Sequence, residues 1–186
     1  DFIGAYLLDP SNQSDVATAV EVDPEGNIIL GGYDFREENA RWRVIKLNSD
    51  MEVIWKYSSN PSNGSDQIQG ITVDEYGNII AGGYDSTQGD AQWRVEKLNS
   101  GGEKIWTYNN NPSSKFDVIN DVEIDSKDNI ALVGTTARNN YEFLVEKISE
   151  RKYYNIEPEI NILEEETFQE IPSLILGKLN SYDLRV

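Results

Sequence analysis

The stretches SDVATAVEVDPEGNIILGGYD (residues 14–34) and SDQIQGITVDEYGNIIAGGYD (residues 65–85) carry one pattern twice, 51 residues apart. Extended to residues 15–65 and 66–116 and aligned without gaps, they are identical at 26 of 51 positions, which identifies an internal duplication and not a shared composition. A third copy opens with FDVINDVEIDSKDNIALVGTT (residues 116–136). It keeps the spacing of Asp15, Asp66 and Asp117, of Asp23, Asp74 and Asp125, and of Asn27, Asn78 and Asn129. One residue is then lost before Phe143, which stands where the first two copies have Trp42 and Trp93.

Each copy reads as four short strands. In the first, Ala17–Val22 leads into a turn at Asp23-Pro24-Glu25-Gly26-Asn27, where Gly26, like Gly77 in the second copy, supplies a positive φ. Asp128 takes that place in the third copy, and aspartate tolerates it. Ile28–Tyr33 is a near-continuous apolar run suited to burial on both faces. A polar loop with Glu37, Glu38 and Asn39 leads to Arg41–Leu47, and a turn at Asn48-Ser49-Asp50 to Val53–Tyr57, before Asn60-Pro61-Ser62 breaks the sheet. Four antiparallel strands in about 50 residues, with glycines and aromatics at fixed offsets, predict an all-β chain of β-propeller blades. A β-trefoil also has three four-stranded repeats; its repeats are usually shorter and do not keep both faces of the second and third strands apolar. Trp42, Trp55, Trp93 and Trp106 follow the same periodicity, which favours blade packing over stacking on sugars.

The blades are expected at residues 15–65, 66–116 and 117–154, within a partial propeller spanning 1–154. Residues 1–8 read as the outer strand of a preceding blade, because Tyr6 stands nine before Asp15 as Tyr57 stands nine before Asp66. Where the third copy should offer its last strand it has Glu150-Arg151-Lys152-Tyr153-Tyr154, without the Trp. Residues 155–186 differ in character: Glu164-Glu165-Glu166, a Thr167-x-x-Glu170 capping pattern and Pro172, which opposes a long helix, suit a C-terminal extension or a worn fourth blade with short strands near Glu159–Leu163 and Leu174–Leu179. A closed propeller needs about four to eight blades. Either the chain is a piece of a longer propeller, or its first strand completes the third blade of a neighbouring copy, head to tail, in a six-bladed dimer or a filament.

Composition narrows the chemistry. Hydrophobic residues make up 38% with four Trp, ten Tyr and five Phe, enough for a folded core despite a mean hydropathy of −0.55. No apolar run approaches the length needed to span a bilayer. The net charge is −17, and residues 150–186 hold only 8 of the 33 acidic residues, so acidity is spread along the chain. Such a surface repels phosphate backbones, which excludes nucleic acid as a partner, and tolerates cations such as calcium. The chain has no His and no Cys. This removes Ser-His-Asp and Cys-His catalysis, thiolate and ordinary zinc sites, and histidine-ligated haem.

The repeated acids are the first candidate site. Asp15, Asp66 and Asp117 stand at the start of each innermost strand, where they would either bond turn amides or ring a channel mouth and share a cation, calcium being the fitting one. Asp23, Glu25 and Asn27 resemble a short calcium loop but lack its length and its distal glutamate, and read as turn formers. Lys46, Lys97 and Lys147, beside Arg43 and Arg94, are expected to pair with acids across blades, in preference to phosphate or glycan. Asn12-Gln13-Ser14 and Asn63-Gly64-Ser65 are glycosylation sequons in equivalent loops. Paired carboxylates can hydrolyse glycosides without histidine, but a catalytic pair should break the repeat symmetry, and none does.

The pattern D-x-A-x-x-V-x-V-D-x-x-G-N-I-x-x-G-G-Y, followed by W-R-V-x-K-L-N-S and x-I-W, resembles the seven-bladed β-propeller (SBBP) repeat over residues 14–149. The resemblance implies a propeller of secreted or cell-surface type and brings no catalytic residues. The expected function is therefore a non-enzymatic binding or assembly scaffold, with a protein partner, self-association or a glycan as its ligand. The alternative is a carbohydrate-active enzyme using carboxylates at the channel mouth.

Overall fold

The computed structural model describes residues 4–7, 11, 13–36, 39–87, 89–138 and 140–149. They form eleven strands and no helix: β1 (Asp15–Val22), β2 (Ile28–Arg36), β3 (Asn39–Leu47), β4 (Val53–Ser59), β5 (Gln67–Val73), β6 (Ile79–Asp85), β7 (Gln92–Leu98), β8 (Lys104–Asn110), β9 (Val118–Ile124), β10 (Asn129–Thr136) and β11 (Glu142–Ser149). Each repeat folds as its own antiparallel meander, β1-β2-β3-β4, β5-β6-β7-β8 and β9-β10-β11. Among the described residues no strand of one repeat pairs with a strand of another, so the trefoil alternative fails and the repeats are blades. The fourth strand of the third blade and the strands anticipated in 155–186 fall outside the described residues, as do Glu37 and Glu38. Gly4–Leu7 belong to no strand.

The turns form for the reasons anticipated. Gly26 and Gly77 have φ of 83° and 77°, and Asp128 has 60°. In each turn the leading aspartate folds back on the chain: Asp23 Oδ1 accepts the amides of Glu25 (3.0 Å) and Asn27 (2.8 Å), and Asp74 and Asp125 repeat the arrangement. The β3–β4 and β7–β8 turns also need a left-handed residue, Met51 (φ 65°) in the first blade and Gly102 (φ 86°) in the second.

Every inner strand carries a β-bulge at the same place, between Ala17 and Ala19, Ile68 and Gly70, and opposite Val133/Gly134 in the third blade. The bulge swings a carbonyl over the facing strand and re-aims the inner strand.

Pairing across the sheet assigns the faces. Ile29, Val44, Trp42, Trp55 and Tyr57 of the first blade pack on Ile68, Ile71, Ile79 and Leu98 of the second. Ile80, Trp93, Val95 and Trp106 of the second pack in turn on Ile119, Val122, Ile130 and Leu132 of the third. The trailing faces of the first and second blades thus cover the leading faces of the second and third. No helix among the described residues is long and apolar enough to cross a membrane.

Candidate functional site

The repeated titratable groups are consumed by the fold. Lys46 Nζ lies 2.7 Å from Asp23 Oδ2, Lys97 Nζ lies 2.9 Å from Asp74 Oδ2, and Lys147 pairs with Asp125. These pairs lie within one blade and not across blades as anticipated, because each lysine on the third strand reaches the β-turn of its own sheet. Burial pushes the Asp23 carboxyl up, but hydrogen bonds from Lys46 and Asn27 outweigh it and hold the group at about 2. Arg43 and Arg41 close on the buried Asp34.

Asp15, Asp66 and Asp117 do stand at the starts of the inner strands, but they are not brought together. No group of three acidic side chains among the described residues is arranged to hold a metal ion. Asp66 is fully buried and receives the Ser62 hydroxyl (2.5 Å) and the amides of Ser62 and Ser86 (both 3.1 Å); burial outweighs these bonds and pushes its pKa up. Asp117 accepts from Ser113 and from the Ala137 amide, and Asp15 from the Ser11 hydroxyl. Asp66 and Asp117 thereby clamp the loop entering their blades to the hairpin beside it.

The tryptophans hold blades together. Trp42 and Trp93 are fully buried, and their indole N–H groups donate to the carbonyls of Tyr84 (3.0 Å) and Thr135 (3.3 Å) on the following blade. Trp55 donates to the Ser100 carbonyl at 3.0 Å, and its ring lies over Gly102. Trp106 belongs to the second interface. Beside them, the Tyr57 and Tyr108 hydroxyls donate to Glu96 and Glu146 of the next blade, both at 2.8 Å. Arg94 ties Glu96 to Asp85 and sits 5.9 Å from the centre of the Trp42 ring. Burial, then the Glu96 charge, pushes the Tyr57 pKa up. Of the sequons, Asn63 is exposed on a polar cleft with Arg36, Asn39, Arg41 and Asn60, while Asn12 lies outside the described residues.

Two blade faces are left uncovered by the other described blades. On the leading face of the first blade Val20 and Val22 are 62% and 55% exposed, beside a cleft of about 230 Å³ lined by Tyr6, Leu7, Ala17, Gly32, Tyr33 and Ile45, among others. On the trailing face of the third blade Val133, Val145 and Phe143 are 40%, 70% and 95% exposed. Phe143 holds the position at which Trp42 and Trp93 are fully buried. Sequence reasoning noticed the Trp-to-Phe change but not the faces; the signal was present in residues that keep the apolar pattern of an interface while their described surroundings cover nothing.

Segment 4–7 sits on the leading face in the manner of an outer strand. Gly4 lies against Met51, with 3.7 Å from its Cβ position to Met51 Cγ, as Trp55 lies against Gly102, the counterpart of Met51. Tyr6 shares the cleft with Ile45 as Tyr57 meets Glu96, the counterpart of Ile45. No protein-family model matches this chain, and no curated protein matches it either.

Proposed function

We propose that the chain is a non-enzymatic assembly scaffold of the seven-bladed β-propeller repeat kind, working outside the cell or at its surface through its uncovered blade faces. The observation that carries this reading is the pair of apolar faces at the two ends of the blade array, above all the exposed Phe143 and Val145. Contiguous apolar surface of this kind marks association sites in folded proteins. The buried acids Asp34, Asp66, Asp74, Asp85 and Glu96 each hold a defined structural partner.

Light scattering over a wide protein concentration range tests the reading. The expected mass rises with concentration, and Val145→Glu, which alters a side chain already exposed in the single chain, abolishes the rise. A constant monomer mass overturns the reading, as does turnover of a polysaccharide by the pure protein.

A further inference from the structure

We infer that both end faces are covered by a second copy of this chain, docked head to tail, so that the third blade of one copy fills the cleft of the next and segment 4–7 becomes its outer strand. The inference rests on the scaffold reading and specifies its partner. Two such contacts between two copies make a ring of six blades, inside the range in which propellers close.

The interior interfaces supply the template. Gly31 and Gly82 on trailing faces let the next blade approach closely: a Cβ at Gly31 would stand 3.2 Å from Ile68, and one at Gly82 would stand 3.2 Å from Ile119 and 2.2 Å from Val122. The trailing face of the third blade has Val133 at this position, and the leading face of the first blade has Ala17 where the others have Ile68 and Ile119. Inside the chain the matched pair is therefore glycine with isoleucine; at the two ends it is valine with alanine. Both pairs hold four side-chain carbons, a volume-conserving exchange of the sort well-packed interfaces accept.

The polar contacts change in the same way. Trp93 rests on Gly134, 2.8 Å from its Cβ position, and donates to the Thr135 carbonyl. The counterparts Gly32 and Tyr33 line the cleft of the first blade, and Phe143 is the ring placed to enter it. Phenylalanine fills the space and brings no N–H that must find an acceptor. Ile45 likewise stands where Glu96 and Glu146 receive tyrosine hydroxyls, so the end face asks for no donor.

Segment 4–7 then completes a sheet. β11 is the last strand of its sheet among the described residues, and Gly4–Leu7 already lie where the outer strand of a preceding blade belongs. The interior registers, Ile45 with Lys56 and Glu96 with Thr107, place Ala5 of one copy opposite Glu146 of the other. This is strand addition, in which main-chain bonds give affinity and the side-chain pockets give register.

Exchange of the matched pair tests the docking. Ala17→Ile and Val133→Gly each install a residue that other blades carry at the same position, so neither threatens the fold. Each single variant is expected to weaken dimerisation about tenfold, by overpacking or by a void, and the double variant Ala17→Ile/Val133→Gly to recover it. The chain has no cysteine, so the register is read by mixing Ala5→Cys protein with Glu146→Cys protein under mild oxidation. A cross-linked pair is expected, and a mixture of Ala5→Cys with Ile148→Cys should give none. Association that Val145→Glu abolishes, but with additive effects of the two exchanges and no Ala5–Glu146 cross-link, overturns this inference and leaves the scaffold reading standing. A monomer at every concentration overturns both.

Discussion

At Gly32, Gly83 and Gly134 a hydrogen stands where a Cβ would meet a backbone oxygen at 2.0, 2.0 and 2.1 Å, belonging to Val16, Gln67 and Val118. The bulge of each inner strand delivers that oxygen, so the second glycine of the Gly-Gly motif is the residue on which the bulge depends. No rotamer relieves a clash with backbone. Gly83→Ala is therefore expected to cost about 3 kcal/mol or more, whereas Gly26→Ala, with open space around its Cβ position, should cost about 1 kcal/mol for its positive φ alone. Urea unfolding of the two variants checks the order; equal losses would mean that the bulge relaxes. The glycines of the β1–β2 and β5–β6 turns were legible in the sequence, because Asp-x-x-Gly-Asn dictates its own turn. The Gly-Gly motif was legible only as a signature. Its cause lies in a bulge centred on Thr18, Gln69 and Asn120, three polar side chains that do not by themselves announce a bulge. Met51 was invisible for a similar reason, since its left-handed φ is forced by a turn whose counterpart uses Gly102.

Within a blade, the hairpin that opens the sheet is tied to the third strand by Lys46–Asp23 and Lys97–Asp74, and both pairs are buried. Asp23 has a folded pKa of about 2 against an ordinary 3.8. A carboxyl depressed by folding contributes stability above its unfolded pKa and loses it as pH falls through the folded value, so this contribution should fade between about pH 4 and pH 2. Its size is about 2 kcal/mol. Asp34 and Asp74 are shifted in the same direction, while Asp66, pushed up by burial, acts in the opposite one. Lys46→Met leaves Asp23 buried without its cation, which should destabilise the neutral protein by about 3 kcal/mol and flatten the acid limb between pH 4 and pH 2. Denaturant titrations at stepped pH separate the two effects; an acid limb as steep as that of the parent protein would show that Asn27 and the turn amides alone depress Asp23. The recurring lysines were visible in the sequence, but their partners were not. Spacing shows that a lysine repeats, whereas only the pairing of β2 with β3 shows that its side chain ends at the turn of its own blade.

Over the whole molecule the repeat predicts its own interfaces, and four departures from it fall on the two outward faces: Val133 for glycine, Phe143 for tryptophan, Ile45 for glutamate and Ala17 for isoleucine. Periodicity made the blades readable and hid these faces, because a face is defined by what stands opposite it and a sequence gives no opposite. Two of the departures, Ile45 and Phe143, remove a charge and a hydrogen-bond donor from surfaces on a chain of net charge −17. Two copies that approach through them repel one another over the rest of their surface, while the contact itself is apolar. The Debye length falls from about 10 Å at 0.1 M salt to about 3 Å at 1 M, so added salt weakens the repulsion and leaves the burial of Phe143, Val145 and Val133 intact or strengthened. Dimerisation should therefore tighten several-fold between 0.1 M and 1 M sodium chloride, read as the concentration midpoint in sedimentation. Docking driven by ion pairs, for instance through Arg36 and Arg41 at the hairpin edge, predicts the reverse. A midpoint that moves to higher concentration with salt would place the attraction in those charges and not in the exchanged apolar pair.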